Sequence, residues 1–331
     1  MHGHSRERSI ALLLVTVGLV AASGASCPRS VYQATGHPVL SAEPTLEEVI
    51  QVVNQNNLQI ERFSAPSAEI SASDMPASLR ASVAYERDRR LRVRAGTLVT
   101  GPELDLGSND ELFWIWFRRN PQQALYYCRH DRYATSPIRQ MLPIDPDWLI
   151  EAMGINPLDP EVPYEGPFRL KNGAWEIRTV RQTADGPATK ITVIDEVRGL
   201  IRGQYLFDGQ GRLAASAAIS EHRYDPVSGL SMARKVEIRC PAAKFTMQVD
   251  LGNVRINRLA GDPRELWSMP RYDDYPLVDL GNPNLQLPPP AAQAPALQAP
   301  PPATRQPALV RPPSMPVQGR RPQPGRDRPA Y

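Results

Sequence analysis

Leu104 to His130 reads Leu-Asp-Leu-Gly-Ser-Asn-Asp-Glu-Leu-Phe-Trp-Ile-Trp-Phe-Arg-Arg-Asn-Pro-Gln-Gln-Ala-Leu-Tyr-Tyr-Cys-Arg-His. Its centre, Leu112 to Phe117, is apolar without a break. Gly107-Ser108-Asn109-Asp110 ahead of it is turn chemistry, because Gly and Asn accept positive φ and Ser and Asp side chains bond nearby backbone. Arg118-Arg119-Asn120-Pro121 stops the run, and Leu125 to Cys128 starts another. The pattern is strand, turn, strand. A half-exposed strand alternates apolar with polar residues, whereas here both faces are apolar. Leu112, Trp114 and Trp116 point one way and Phe113, Ile115 and Phe117 the other. Two readings follow. A curved sheet closes round a lumen, with one face inward and the other covered, or this is an ordinary two-sided core strand.

Working outward, more strands appear on both sides. Upstream, Leu79, Ala81, Val83 and Tyr85 alternate with polar or small residues, and Leu91, Val93 and Ala95 alternate with Arg90, Arg92 and Arg94. The second pattern predicts a half-buried strand whose arginines form a solvated face. Downstream, Trp175 to Asn257 reads as a long antiparallel meander, with turns at Asp185-Gly186, Asp208-Gly209-Gln210-Gly211 and Asp225-Pro226. Consecutive hairpins of this kind build a large, curved antiparallel sheet.

Two helical signals flank the strands. Thr45-Leu46-Glu47-Glu48 fits a capping box, and Leu46, Val49, Ile50, Val53 and Ile60 follow helical spacing. Asp145-Pro146 is a second helix start, with Trp148, Leu149, Ala152 and Met153 as its apolar face and Gly154 as its stop. This helix lies in an insert, residues 131–173, that breaks the strand series. The insert is either a lid over the sheet or a connecting loop with one packed helix.

The ends differ from the body. Arg6 and Arg8, the apolar run Ile10 to Val20 and the small residues Ala21 to Ser26 read as an export signal over residues 1–26. Cys27 follows Gly24-Ala25-Ser26, a run similar to a bacterial lipobox, whose Cys is lipidated; Gly24 stands where that pattern has Leu. Acylation of Cys27 would anchor the protein in a membrane; the alternative is an ordinary cleaved signal that leaves a soluble periplasmic protein. Residues 27–44 are then a tether, 45–281 the folded body and 282–331 a tail. The tail is Pro-rich and basic, carrying Arg305, Arg311, Arg320, Arg321, Arg326 and Arg328 against Asp327. Such a composition cannot repay ordering entropy with a core and is expected to be disordered, with polyproline II character.

Little points to catalysis. With 331 residues, net charge +3 and 22% charged residues, the chain gives no electrostatic case for nucleic acid. His37, His130 and His222 are scattered outside any metal-ligand spacing, and no phosphate loop or nucleophile elbow stands out. His222 near Asp225 reads as a surface histidine beside a turn rather than as a base with its orienter. No enzyme activity, cofactor or metal is expected. Cys128 and Cys240 permit one disulfide in an exported chain, the alternative being two buried thiols.

The order of these elements resembles the LolA/LolB-like superfamily of bacterial envelope lipoprotein carriers. The resemblance is carried by Thr45-Leu46-Glu47-Glu48-Val49-Ile50, by Leu91-Arg92-Val93, and by Phe113-Trp114-Ile115-Trp116 ahead of Pro121. Ile191-Thr192-Val193-Ile194-Asp195 and Val249-Asp250-Leu251 ahead of Leu266-Trp267 continue it. It spans Thr45 to Met269. Leu106 to Asp110 with Tyr126 to His130 looks like a branch of envelope lipoproteins rather than the carriers themselves. The resemblance implies a mainly β, α+β fold: an incomplete antiparallel β-barrel covered by helices. It also implies non-covalent binding of lipid or lipoprotein acyl chains in a hydrophobic cavity. Expected wall residues are Phe113, Trp114, Ile115 and Trp116, with Leu206, Ile219 and Met247 from the meander. The location implied is the cell envelope, facing the periplasm, at the outer membrane. A second reading is a structural or interaction lipoprotein with a filled barrel, whose tail contacts cell wall or a partner.

Overall fold

The structure is a computed structural model that describes residues 38–285 except 74, 76, 120, 121, 137–145, 184, 185 and 283. The export signal, Cys27, the start of the tether, Pro121, Asp145, Asp185 and the tail from residue 286 lie outside the described residues.

Helix α1 (Leu46–Asn57) starts where the sequence places it. Thr45 accepts a hydrogen bond from Glu48 N–H at 3.2 Å. The reciprocal arm differs from expectation, because the Glu48 carboxylate instead takes Ser41 N–H and Ser41 Oγ–H at 2.7 and 2.9 Å. Strands β1 (Arg62–Ala72), β2 (Leu79–Glu86), β3 (Arg90–Thr97), β4 (Gly101–Ser108), β5 (Leu112–Phe117) and β6 (Leu125–Arg129) follow as antiparallel neighbours. Two short helices, α2 (His130–Tyr133) and α3 (Pro146–Glu151), precede a second run: β7 (Glu165–Arg169), β8 (Trp175–Thr183), β9 (Gly186–Ile194), β10 (Ile201–Phe207) and β11 (Leu213–Ser220). Strands β12 (Arg223–Asp225) and β13 (Leu230–Met232) form a separate hairpin. Next, β14 (Lys235–Cys240) pairs with β11, and β15 (Phe245–Asp250) pairs with both β14 and β1. That last pairing joins the two runs into one 15-stranded sheet. It is completed by β16 (Arg255–Ile256) beside β1 and, after helix α4 (Pro263–Leu266), by β17 (Leu277–Asp279), which pairs in parallel with β6. The order ends in β17 at one side and β7 at the other, so the curved sheet stays open. The incomplete, mainly antiparallel barrel expected from sequence is the observed fold. The stretch 131–173 is less of an insert than expected, since its last part supplies the edge strand β7.

Register sorts the side chains into two faces, since paired residues share a side. The pairs Tyr85–Leu91, Leu91–Ser108 and Ser108–Phe113 place Phe113 with Val83, Val93, Leu106 and Ile115 on the helix-covered face. The opposite face carries Arg92, Asp105, Gly107, Trp114 and Trp116. Here Arg92 departs from the expected solvated arginine face, being 2% exposed, whereas Arg94 keeps to it. The C-terminal segment, residues 259–280, covers Arg92 as a strap. Arg92 donates to Leu266 O and Ser268 O at 3.3 and 2.7 Å, pairs with Asp105 at 2.6 Å and lies 4.8 Å from the Trp114 ring centroid. Alternation alone cannot reveal this, because the strap is distant in sequence.

Turn chemistry is also placed differently. β4 runs through Ser108, and Asn109 makes the turn, its Oδ1 accepting Glu111 N–H and Leu112 N–H at 3.0 Å each. Gly107 is a strand residue paired with Trp114, and any Cβ there would overlap the indole. Gly107→Ala is therefore expected to cost about 3 kcal/mol in urea denaturation. Gly203→Ala, whose Cβ would meet its nearest atom at 3.5 Å, should be close to neutral.

Candidate functional site

The helix-covered face is largely filled by α1 and α3. Val49 and Val53 of α1 pack with Trp148 and Ala152 over β8–β11 and β14, while Ile150 and Met153 pack over β1–β3. Polar side chains then fasten the stretch 151–158. Asn57, buried although the sequence marks it as a polar helix end, donates to Gly154 O and Asn156 O at 3.1 and 3.0 Å. Asn54 meets both Leu158 O and Leu158 N–H, and Gln204 donates to Glu151 O at 2.9 Å. Glu151 is held by Lys190 at 2.5 Å and Arg181 at 2.8 Å. Burial alone would raise the Glu151 carboxyl, but the two cations hold it below the ordinary carboxylate range.

This cover does not reach the far strand ends. Leu79, Val93, Leu104 and Leu106 are only partly buried against one core, and Leu206 and Phe245 against the other; Met247 touches both. Ile115 pairs with Leu106 and Phe117 with Leu104, which carries the apolar stripe on to Phe117, 47% exposed. Beyond them the β3–β4 hairpin projects Leu98 and Val99, 84% and 94% exposed. Arg118 donates to Thr100 O, and Arg119 pairs with Glu103 at 3.2 Å, so the β5–β6 turn lies against this hairpin. The result is a half-open apolar mouth with an aliphatic tip. Two cavities, of about 170 and 380 Å³, lie on the opposite face instead, lined in large part by charged and hydroxyl residues.

The expected wall residues therefore separate. Leu206, Met247 and Ile115 border the mouth. Ile219 is buried in the core beneath α3. Phe113 is buried against His130 and Tyr133, at 5.8 and 5.9 Å between ring centroids. Trp114 and Trp116 do not line this face at all. Trp114 lies between Arg92 and Asp105, and Trp116 stacks on Tyr272 at 4.3 Å with Tyr275 edge-on at 5.2 Å. The strap tyrosines take the place expected for a ligand, and no local pattern around the indoles announces them. Leu79, Leu104 and Phe245 were missed, since only the pairing of strands distant in sequence sets them on one face.

His130 and Ser108 do not form a base–nucleophile pair. His130 Nε2 is 3.3 Å from Ser108 Oγ but also 2.9 Å from Asn109 O. A carbonyl at that distance takes a ring N–H, which leaves this nitrogen unable to act as base toward Ser108. Cys128 and Cys240 are separate buried thiols, on β6 and β14, so the disulfide is not formed; burial pushes both up to about 11. Among the described residues no group of His, Cys, Asp and Glu could hold a metal ion, and no helix is long and apolar enough to cross a membrane.

No protein-family model and no curated protein matches the chain. Solved structures similar to it include a domain named for outer membrane lipoprotein sorting from Vibrio parahaemolyticus, at 7% identity and TM-score 0.43, covering 66% of this chain and 96% of that one. A LolA superfamily protein from Nitrosomonas europaea is similar at 9% identity and TM-score 0.43, covering 68% and 98%. A DUF1329 family protein from Desulfovibrio piger is similar at 11% identity and TM-score 0.44, covering 70% and 99%.

His222 is not paired with Asp225. Its Nε2 meets Ile201 O at 3.0 Å, while Asp225 takes Val227 N–H and Ser228 Oγ–H. Burial lowers the imidazole from its usual 6.5 to about 4. Between those values the unfolded chain binds a proton that the folded one refuses, so stability falls as pH drops from 6.5 to 4. Chemical denaturation across that range should show this slope, and His222→Gln should flatten it.

Proposed function

We propose that this chain is an exported envelope protein that holds lipid or lipoprotein acyl chains non-covalently at the half-open mouth and has no catalytic role. The observation that carries this reading is the aliphatic tip, Leu98 and Val99, continuous with the partly exposed stripe of Leu79, Leu104, Phe117 and Met247. Apolar surface left in water at one end of a sheet marks a place where something apolar is meant to land. An acyl chain gains about 0.8 kcal/mol per methylene buried, so even a short contact along the stripe is useful. The export signal and Cys27 support an envelope location and a lipid anchor at the outer membrane, with the mouth facing the periplasm.

A second reading has its own support. Tyr272 and Tyr275 occupy the space beside Trp116, and α3 fills the middle of the helix-covered face. A body filled by its own side chains suits a structural or interaction lipoprotein, with the Pro-rich tail making contacts to cell wall or a partner. Native mass spectrometry of protein purified from membranes separates the two: bound acyl lipid supports the first, and an empty, stable chain the second.

Two further outcomes are expected. In a Cys27→Ser background, replacing Leu98 and Val99 together by Asp should weaken liposome co-sedimentation by about tenfold or more, with an unchanged melting temperature because both side chains are exposed; equal sedimentation would refute the docking role. Cys27→Ser alone should move the protein from membrane to soluble fractions, and unchanged partitioning would remove the anchor.

A further inference from the structure

The body receives the tether at the end away from the hairpin tip. Val39 N–H donates to Val197 O at 3.2 Å, in the turn between β9 and β10. A Cβ on Gly199 of the same turn would meet Val39 Cγ2 at 3.3 Å and overlap Val52 of α1. Further along α1, Asn57 O accepts from Arg87 at 2.7 Å, in the turn between β2 and β3. The entry point, that turn and the start of β3 at Arg90 therefore share one end. From Arg90, β3 runs to the hairpin that carries Leu98 and Val99. At about 3.4 Å per residue the tip is roughly 27 Å from that end.

Cys27 lies eleven residues before Pro38. A chain of that length reaches roughly 36–40 Å fully extended and averages roughly 17–20 Å when relaxed. With Cys27 held in a bilayer, a relaxed tether keeps the entry end toward that bilayer and the tip on the far side. Bringing the tip onto the same bilayer lifts the entry end by the length of β3 and stretches the tether past its average. The surroundings of the tip suit lipid. Two aliphatic side chains on a hairpin fall far short of the ~800 Å² per partner of a stable protein interface, but they can enter an acyl layer. Arg118, exposed beside them, gives its Nη1 to the carbonyls of Thr100 and Pro102 rather than to a carboxylate. Arg80, paired with Gly96 at the base of the hairpin, is exposed too. Both charges favour anionic headgroups. We propose that the anchored protein docks in trans, placing Leu98 and Val99 on a second, anionic bilayer rather than on the one that holds Cys27. The inference rests on the anchor and the mouth of the proposed function.

Two vesicle populations test this, both containing phosphatidylglycerol: sucrose-loaded vesicles carrying the full acylated chain, and fluorescent vesicles without protein. Pelleting the first should bring down the second at least about tenfold above a protein-free control. Leu98→Asp with Val99→Asp should abolish this capture while the amount of protein on the loaded vesicles stays the same. Removing residues 30–36 should leave capture intact, and replacing phosphatidylglycerol by phosphatidylcholine in the fluorescent vesicles should weaken it. Capture that is absent in the wild type but gained on shortening the tether would show docking on the protein's own bilayer and overturn the proposal. So would no capture from either, if Cys27→Ser protein still binds the same vesicles through Leu98 and Val99; the mouth would then stand and the trans arrangement fall. Capture undiminished by the double Asp variant would overturn the tip as the contact. Loss of wild-type protein from the loaded vesicles would remove the anchor, failure of Cys27→Ser protein to bind vesicles would remove the mouth, and either would take this inference with it.

Discussion

Strand β5 is apolar on both sides, and an open sheet leaves both sides to be covered by something else. A closed barrel would hide one face in its own lumen. Here the strand order stops at β7 and β17, and the two faces receive different covers. Helices α1 and α3 lie on one, carrying Val53, Trp148 and Ile150 into the cores. The C-terminal strap lies on the other, carrying Trp267, Tyr272 and Tyr275. The rest of the architecture follows from how each cover is attached and where it ends.

The strap is attached by charge. Arg92 and Asp105 sit almost wholly out of water on adjacent strands, 2.6 Å apart. Such a pair has a desolvation cost close to its Coulombic gain, so it adds little net stability over an apolar pair. Its effect is on specificity. Removing one partner strands the other and costs roughly 3–5 kcal/mol, and Nη1 of the guanidinium finds its acceptors only in the carbonyls of residues 266 and 268. Tyr272 donates to the same Asp105 at 2.9 Å, and burial with that carboxylate raises its phenol well above the usual value. The strap can satisfy these groups in one register, which also lays β17 against β6.

Much of this was legible from residues near each other in sequence. The alternation in Leu79–Tyr85 and Leu91–Ala95, the Thr45 cap and the Asp208-Gly209 turn each use neighbours, and each is seen in the structure. What alternation cannot say is which face of a two-sided strand meets which cover. Trp114 and Trp116 have the composition of a ligand wall, yet their partners come from residues 266–275. Arg92 follows the same logic: between Leu91 and Val93 it reads as solvated, and only a segment 174 residues away buries it. Asn57 is similar, a polar helix end whose role appears once residues 154 and 156 arrive. On the candidate site, Ile115, Leu206 and Met247 were named from composition, but their common face follows only from the register of strands far apart in sequence. Their exposure was not legible either, because it depends on how far α3 extends across the sheet.

That last dependence explains why the mouth lies at one end. The segment 146–158 is pinned at several points, by Asn54, Asn57, Gln204 and the Glu151 ion pairs, all toward the middle of the sheet. A fastened cover of fixed length leaves the strand ends beyond it bare. Leu79, Leu104, Phe245 and Met247 are those ends, and they stay half in water because no segment among the described residues is pinned over them. A bare apolar rim next to a hairpin that exposes Leu98 and Val99 is a liability for a protein with no apolar partner. In the proposed reading, an acyl chain or a lipid surface completes the cover that the described residues leave unfinished.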